Sequence, residues 1–105
     1  MNSREKGKRG ERLLAEEFRK EGHDAHRGVQ YQGGRDSPDV VVDIPNVHIE
    51  CKFVEKAEIR KWMAQAIRDA GDKMPVVVWK KSREEWLAVM RLKDWIDMER
   101  RTHGS

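Results

Sequence analysis

The chain has 105 residues, 37% of them hydrophobic and 39% charged, enough for one domain spanning residues 1–105 with a thin core. With a mean hydropathy of -0.92, no apolar stretch approaches the roughly 20 residues that span a bilayer, and the charged start Met1-Asn2-Ser3-Arg4-Glu5-Lys6 argues against a secretory leader. Cys51 is the one cysteine, which excludes an internal disulfide and makes a reducing, cytoplasmic setting the expectation.

Residues 3–21 are good helix formers, and Gly22 suits the end of that helix. Its apolar stripe is Leu14, Ala15 and Phe18. Counting back by three and four places Glu11 on the same stripe, so a carboxylate points inward and should meet a cation, a metal or a pocket. Arg4, Lys6, Lys8, Arg9 and Arg12 crowd the same helix and are candidate phosphate contacts, the alternative being a solvated face. A short extended segment at 24–29 is followed by a polar, glycine-rich loop at 30–37, whose Arg35, with Arg27 before it, could also meet phosphate.

Two strands are expected next, 39–44 and 47–54, turning at Pro45-Asn46. Ile59, Trp62, Met63, Ala66, Ile67 and Ala70 repeat with helical period and stop at Gly71. Arg60, Lys61 and Arg68 form a second basic set on this helix. Pro75 to Trp79 reads as a strand covered on both faces, residues 85–90 as its neighbour, and residues 92–98 as a short closing helix with a frayed tail. The order α-β-β-β-α-β-β-α describes an α/β domain with a mixed β-sheet flanked by helices.

The hairpin carries the chemistry. Alternation in Val47-His48-Ile49-Glu50-Cys51-Lys52-Phe53 sends Val47, Ile49, Cys51 and Phe53 to one face and His48, Glu50 and Lys52 to the other. If Ile44 faces Val47, Asp39 lies opposite Lys52 and diagonal to Glu50 on the second face. Two carboxylates suit a hard divalent cation, Mg²⁺ or Mn²⁺, which commonly takes one or two carboxylates with phosphate and water. A lysine beside them can orient the attacking water and offset charge on a phosphate. Glu11 could complete the acidic cluster. The alternative is a surface ion pair between Asp39 and Lys52, with Glu50 an ordinary exposed residue.

Ser37-Pro38-Asp39 followed by Glu50-Cys51-Lys52 resembles the signature of the PD-(D/E)XK nucleases. The segment Lys6-Gly7-Lys8-Arg9-Gly10-Glu11 is similar to the leading element of archaeal Holliday junction resolvases, their phage relatives and the related VRR-NUC group. The resemblance implies a restriction-endonuclease-like core and metal-dependent hydrolysis of DNA phosphodiesters. It assigns Glu11, Asp39 and Glu50 to the metal, Lys52 to catalysis and Cys51 to packing, and it places Gln65 as a residue lining the site. Lys61 and Arg35 join the N-terminal basic residues as DNA contacts, and the resolvases imply a homodimer acting on branched DNA. Competing readings are a nuclease for flapped, nicked or single-stranded DNA and a non-catalytic nucleic-acid-binding module.

Other candidates are weaker. His23 and His26 lack the partners of a zinc site. His48, near the turn, is expected at the surface. Trp62 and Trp79 suit core positions better than base-stacking ones.

Overall fold

The computed structural model describes residues 3–28 and 37–103. Helix α1 (Ser3–Lys20) leads into β1 (Ala25–Arg27), β2 (Val40–Val42) and β3 (Val47–Phe53). Helix α2 (Ile59–Ala70) then crosses to β4 (Met74–Lys80), followed by β5 (Leu87–Val89) and α3 (Leu92–His103). The element order matches the expectation. The closing helix does not: it continues to His103, through residues 100–103 that lie in the tail expected to fray. That stretch holds together in part through ion pairing of Arg101 to Asp97 one turn back and a hydrogen bond from Thr102 Oγ1 to the Met98 carbonyl. Among the described residues no helix is long and apolar enough to cross a membrane.

The five strands lie in chain order in one sheet, with β3 and β4 parallel and the other pairs antiparallel. Helix α2 supplies the crossover that a parallel pair requires. It covers one face with Trp62 and Ala66 against Val77 and Trp79, while α1 covers the other with Leu14 and Ala15 against Ala25, Val40, Ile49, Val76 and Val78. Residues 75–78 are buried on both sides, as their unbroken apolar run requires. Trp62 and Trp79 pack with ring centroids 5.6 Å apart and planes tilted by 58° in the α2 layer, and Trp79 Nε1 donates to the Val54 carbonyl at 2.9 Å. Both are packing residues.

The turn after β2 changes the expected register. Val40 pairs with Ile49, so residues 43–46 form the connection and the strands are displaced by two residues from a hairpin in which Ile44 faces Val47. The cause is local. Asp43 is drawn off the ladder, its amide donating to the Asp24 carbonyl at 3.0 Å and its carboxylate taking His23 Nδ1 at 2.8 Å, and Asn46 turns the chain with φ of 63°. An even displacement preserves which face each side chain occupies.

Candidate active site

With Val40 paired to Ile49, Asp39 lies against Ile49 with its carboxyl beside that of Glu50, and not opposite Lys52. Three hydrogen bonds fix Asp39: its amide donates to the Ile49 carbonyl at 2.9 Å, its carbonyl accepts the Gly28 amide at 2.8 Å, and its Oδ2 accepts the Cys51 amide at 2.8 Å. The residue at 28 must be glycine for this clamp to close, because a Cβ there would lie 1.9 Å from the Pro38 carbonyl oxygen. Thus the proline-aspartate step is held from β1 on one side and β3 on the other.

Glu50 is 4% exposed and His48 2%, which corrects both the surface placement expected for His48 and the exposed-residue alternative for Glu50. His48 Nε2 and Glu50 Oε1 are 2.9 Å apart. The strand lies deep enough that its polar face is covered by α2, so its buried charge needs a partner within the protein, and the histidine two residues earlier on the same face supplies one.

Burial, and next to it the negative charge of Glu50, raises the Asp39 carboxyl from 3.8 to about 7; the Cys51 amide opposes the rise, while a carboxyl-carboxyl hydrogen bond to Glu50 and the charge of Glu11 add to it. The two acids therefore share a site in which they cannot both ionise at low cost. Lys52, half-buried on the same face, directs Nζ to Gln65 Oε1 of α2 at 3.4 Å.

Glu11 meets its cation in Arg27, whose Nε donates to Oε1 at 3.0 Å. Arg27 is thereby an ion-pair partner of α1 in this structure. Among the described residues no set of three or more His, Cys, Asp and Glu side chains converges as a ready cation cage. The pair of Asp39 and Glu50 nonetheless fits a Mg²⁺ or Mn²⁺ ion. Its donors are hard oxygens, and two carboxylates suffice when phosphate and water fill the remaining positions.

Cys51 packs into the α1-side core. Burial, followed by the charges of Asp39 and Glu11, pushes its thiol far above the usual range, so it is no nucleophile. Of the basic residues, Arg4, Arg9, Arg12 and Lys61 are exposed and Lys6 and Lys8 half-buried. Lys6 lies over the Phe53 ring at 5.2 Å and Lys80 at 5.6 Å, while Lys81 lies over Trp79 at 5.8 Å. These three bring cationic charge to the end of β3 next to Lys52. The parallel pairing of Phe53 with Lys80 is what brings Lys80 and Lys81 here. Helix α1 approaches so closely that a Cβ on Gly10 would lie 2.6 Å from the Phe53 Cβ. Arg35 and the glycine-rich loop lie outside the described residues.

A mixed sheet between helices, with a proline-aspartate step beside a Glu-X-Lys strand, is the architecture of the PD-(D/E)XK nucleases. Residues 2–103 match the family model described as "Phage putative PDDEXK endonuclease", and the chain belongs to that family. Among solved structures it is similar to Hjc of Archaeoglobus fulgidus, a Holliday junction resolvase from an archaeal hyperthermophile. The TM-score is 0.58 and the identity 26%, over 81% of this chain and 72% of that one. No curated protein matches the chain.

Proposed function

We propose that the protein is a divalent-metal-dependent endonuclease that hydrolyses DNA phosphodiesters, with branched DNA of the Holliday junction type as its substrate and a homodimer as its working form. The observation that carries the catalytic part is the buried Asp39–Glu50 carboxyl pair with Lys52 on the same face. The likeness to a Holliday junction resolvase supports the branched substrate.

Asp39 and Glu50 would hold Mg²⁺ or Mn²⁺, with Glu11 beside them as an auxiliary acid released from Arg27 when DNA phosphate takes that guanidinium. The bound ion would supply charge neutralisation at the phosphate and a more acidic water. His48 keeps the Glu50 carboxylate turned to one orientation. Lys52, positioned by Gln65, orients the attacking water and offsets charge growing on the phosphate oxygens. Lys6, Lys8, Arg4, Arg9, Arg12 and Lys61, together with Arg35, supply the electrostatic attraction to the DNA backbone.

The test is cleavage of a labelled four-way junction beside a linear duplex, a flap and a single strand, with Mg²⁺ or Mn²⁺ and with EDTA. Paired, metal-dependent cuts restricted to the junction are expected. Cuts on the other substrates would retain the nuclease and overturn the junction preference. Binding without cuts in either metal would overturn the enzyme and favour a binding module.

A further inference from the structure

Just past the carboxyl ends of the parallel strands β3 and β4 the chain forms a small anion seat, and one of its own side chains sits in it. Glu55 follows β3 by two residues and Ser82 follows β4 by two, so the register that pairs Phe53 with Lys80 brings them together. The Ser82 amide donates to Glu55 Oε2 at 2.9 Å, and the Ser82 hydroxyl hydrogen-bonds the same carboxylate. Lys6 Nζ, held over the Phe53 ring, lies 3.9 Å from that oxygen, and the charge of Lys81 also acts on it. Two neutral donors and two ammonium groups around one carboxylate are the chemistry that also holds a phosphate oxygen.

The turn after β4 is shaped to present these donors. The Glu84 amide donates to the Lys81 carbonyl at 3.2 Å, closing residues 81–84 into a turn whose third residue, Arg83, has φ of 68°. A type II turn needs a positive φ at that position and favours glycine there, so arginine holds a costly conformation. The turn's closing bond uses neither donor of Ser82, and both are left for an anion from outside. The Glu55 side chain is 58% exposed, so it can swing into water without opening the core. Open α/β sheets bind ligands outside the carboxyl ends of their strands, and Lys52, three residues before Glu55, is at most about 11 Å from it along the chain. Successive phosphates of a duplex strand advance about 3.4 Å along the axis, so a strand whose phosphate meets Lys52 carries another within reach of Ser82.

We propose that Ser82, with Lys6 and Lys81, is the seat of a DNA backbone phosphate close to the scissile one, and that Glu55 fills this seat in the free protein and is displaced when the strand binds. This rests on the DNA-cleaving reading above and adds an internal competitor to it. A strand settles here only when its other contacts offset the loss of the Glu55 bonds.

Fluorescence anisotropy of a labelled four-way junction with the full chain in EDTA, at fixed salt, tests it. Glu55→Gln keeps an oxygen for the Ser82 amide and removes only the charge, and it should tighten binding about threefold to fivefold, the size of an exposed charge interaction. Glu84→Gln makes the same charge change on the same turn outside the seat and should tighten binding clearly less. Neutral methylphosphonate linkages placed one at a time around the branch point should erase the Glu55→Gln gain at one or two positions and leave it elsewhere. Equal gains from Glu55→Gln and Glu84→Gln, or a gain that survives every methylphosphonate, would reduce the effect to general repulsion and overturn the seat. Wild-type binding that Glu55→Gln leaves unchanged or weakens would make Glu55 a clamp on the turn and overturn the seat alone. No DNA binding by wild type or by Glu55→Gln would overturn the seat together with the DNA reading.

Discussion

Replacing Asp39 by asparagine should make the metal-free protein more stable at pH 8. In the folded chain the carboxyl protonates at about 7 instead of 3.8, chiefly because it is buried and then because Glu50 is beside it. Below pH 3.8 both folded and unfolded chains hold the proton and the penalty is absent. Between 3.8 and 7 the folded chain keeps a proton that the unfolded chain has released, so stability falls as pH rises, and above 7 the penalty is complete. At about 1.4 kcal/mol per pH unit the interval from 3.8 to about 7 corresponds to about 4 kcal/mol as a ceiling. The asparagine side chain has the same shape and keeps an oxygen to accept the Cys51 amide. A gain of about 2 kcal/mol would raise the melting temperature by roughly 10 °C in a chain this size. Exposed Asp43 and Glu55 have lowered carboxyls, Asp43 through the Asp24 backbone and His23, Glu55 through Ser82. Their stabilising contribution appears above the usual carboxylate range and is lost as pH falls, opposite in sign. The assay is therefore the difference in melting temperature between Asp39→Asn and wild type in EDTA, from pH 4 to pH 9. It should be near zero at the acid end, grow through pH 5 to 7 and level off, and saturating Mg²⁺ should shrink it by stabilising wild type alone. A difference that is flat with pH would refute the reasoning.

Three further outcomes follow from the packing. His48→Leu leaves the Glu50 carboxylate buried without its donor and should cost about 2 kcal/mol, read as a lowered urea midpoint. Gly28→Ala forces a Cβ into the Pro38 carbonyl and should cost about 2 kcal/mol by displacing the Asp39 clamp, with cleavage falling further than stability explains. Arg9→Ala and Arg12→Ala, on the exposed side of α1, should each reduce the slope of log affinity for DNA against log salt by about 0.9 if they meet phosphate; an unchanged slope would remove them from the interface.

Much of the fold was legible because its signals are local and periodic. The α2 stripe from Ile59 to Ala70 and its stop at Gly71 reproduce the observed helix, and the apolar run from Pro75 to Val78 reproduces the doubly covered strand. Alternation in β3 correctly separated Ile49 and Cys51 from His48 and Glu50. What it could not supply was depth: an alternating strand reads as polar to water on one face, and only the crossover of α2 over that face buries His48 and Glu50. The hairpin register depended on Asp43 being captured by Asp24 and His23, a contact some twenty residues away in sequence. Glu11 was legible as an inward carboxylate needing a cation, but Arg27 as that cation required the β1 edge to be placed beside α1. Lys80 and Lys81 acquire their place only through parallel pairing with β3.

The most direct test of the catalytic site is single-turnover cleavage of saturating four-way junction DNA by wild type and Lys52→Ala, with binding measured on the same substrate in Ca²⁺. Wild type should cut with Mg²⁺ or Mn²⁺ and not with EDTA, whereas Lys52→Ala should bind within a few-fold of wild type and cut at least about a hundredfold more slowly, as loss of a general acid-base or charge-offsetting group implies. Cleavage by Lys52→Ala at the wild-type rate would contradict the assignment of Asp39, Glu50 and Lys52 as the hydrolytic centre.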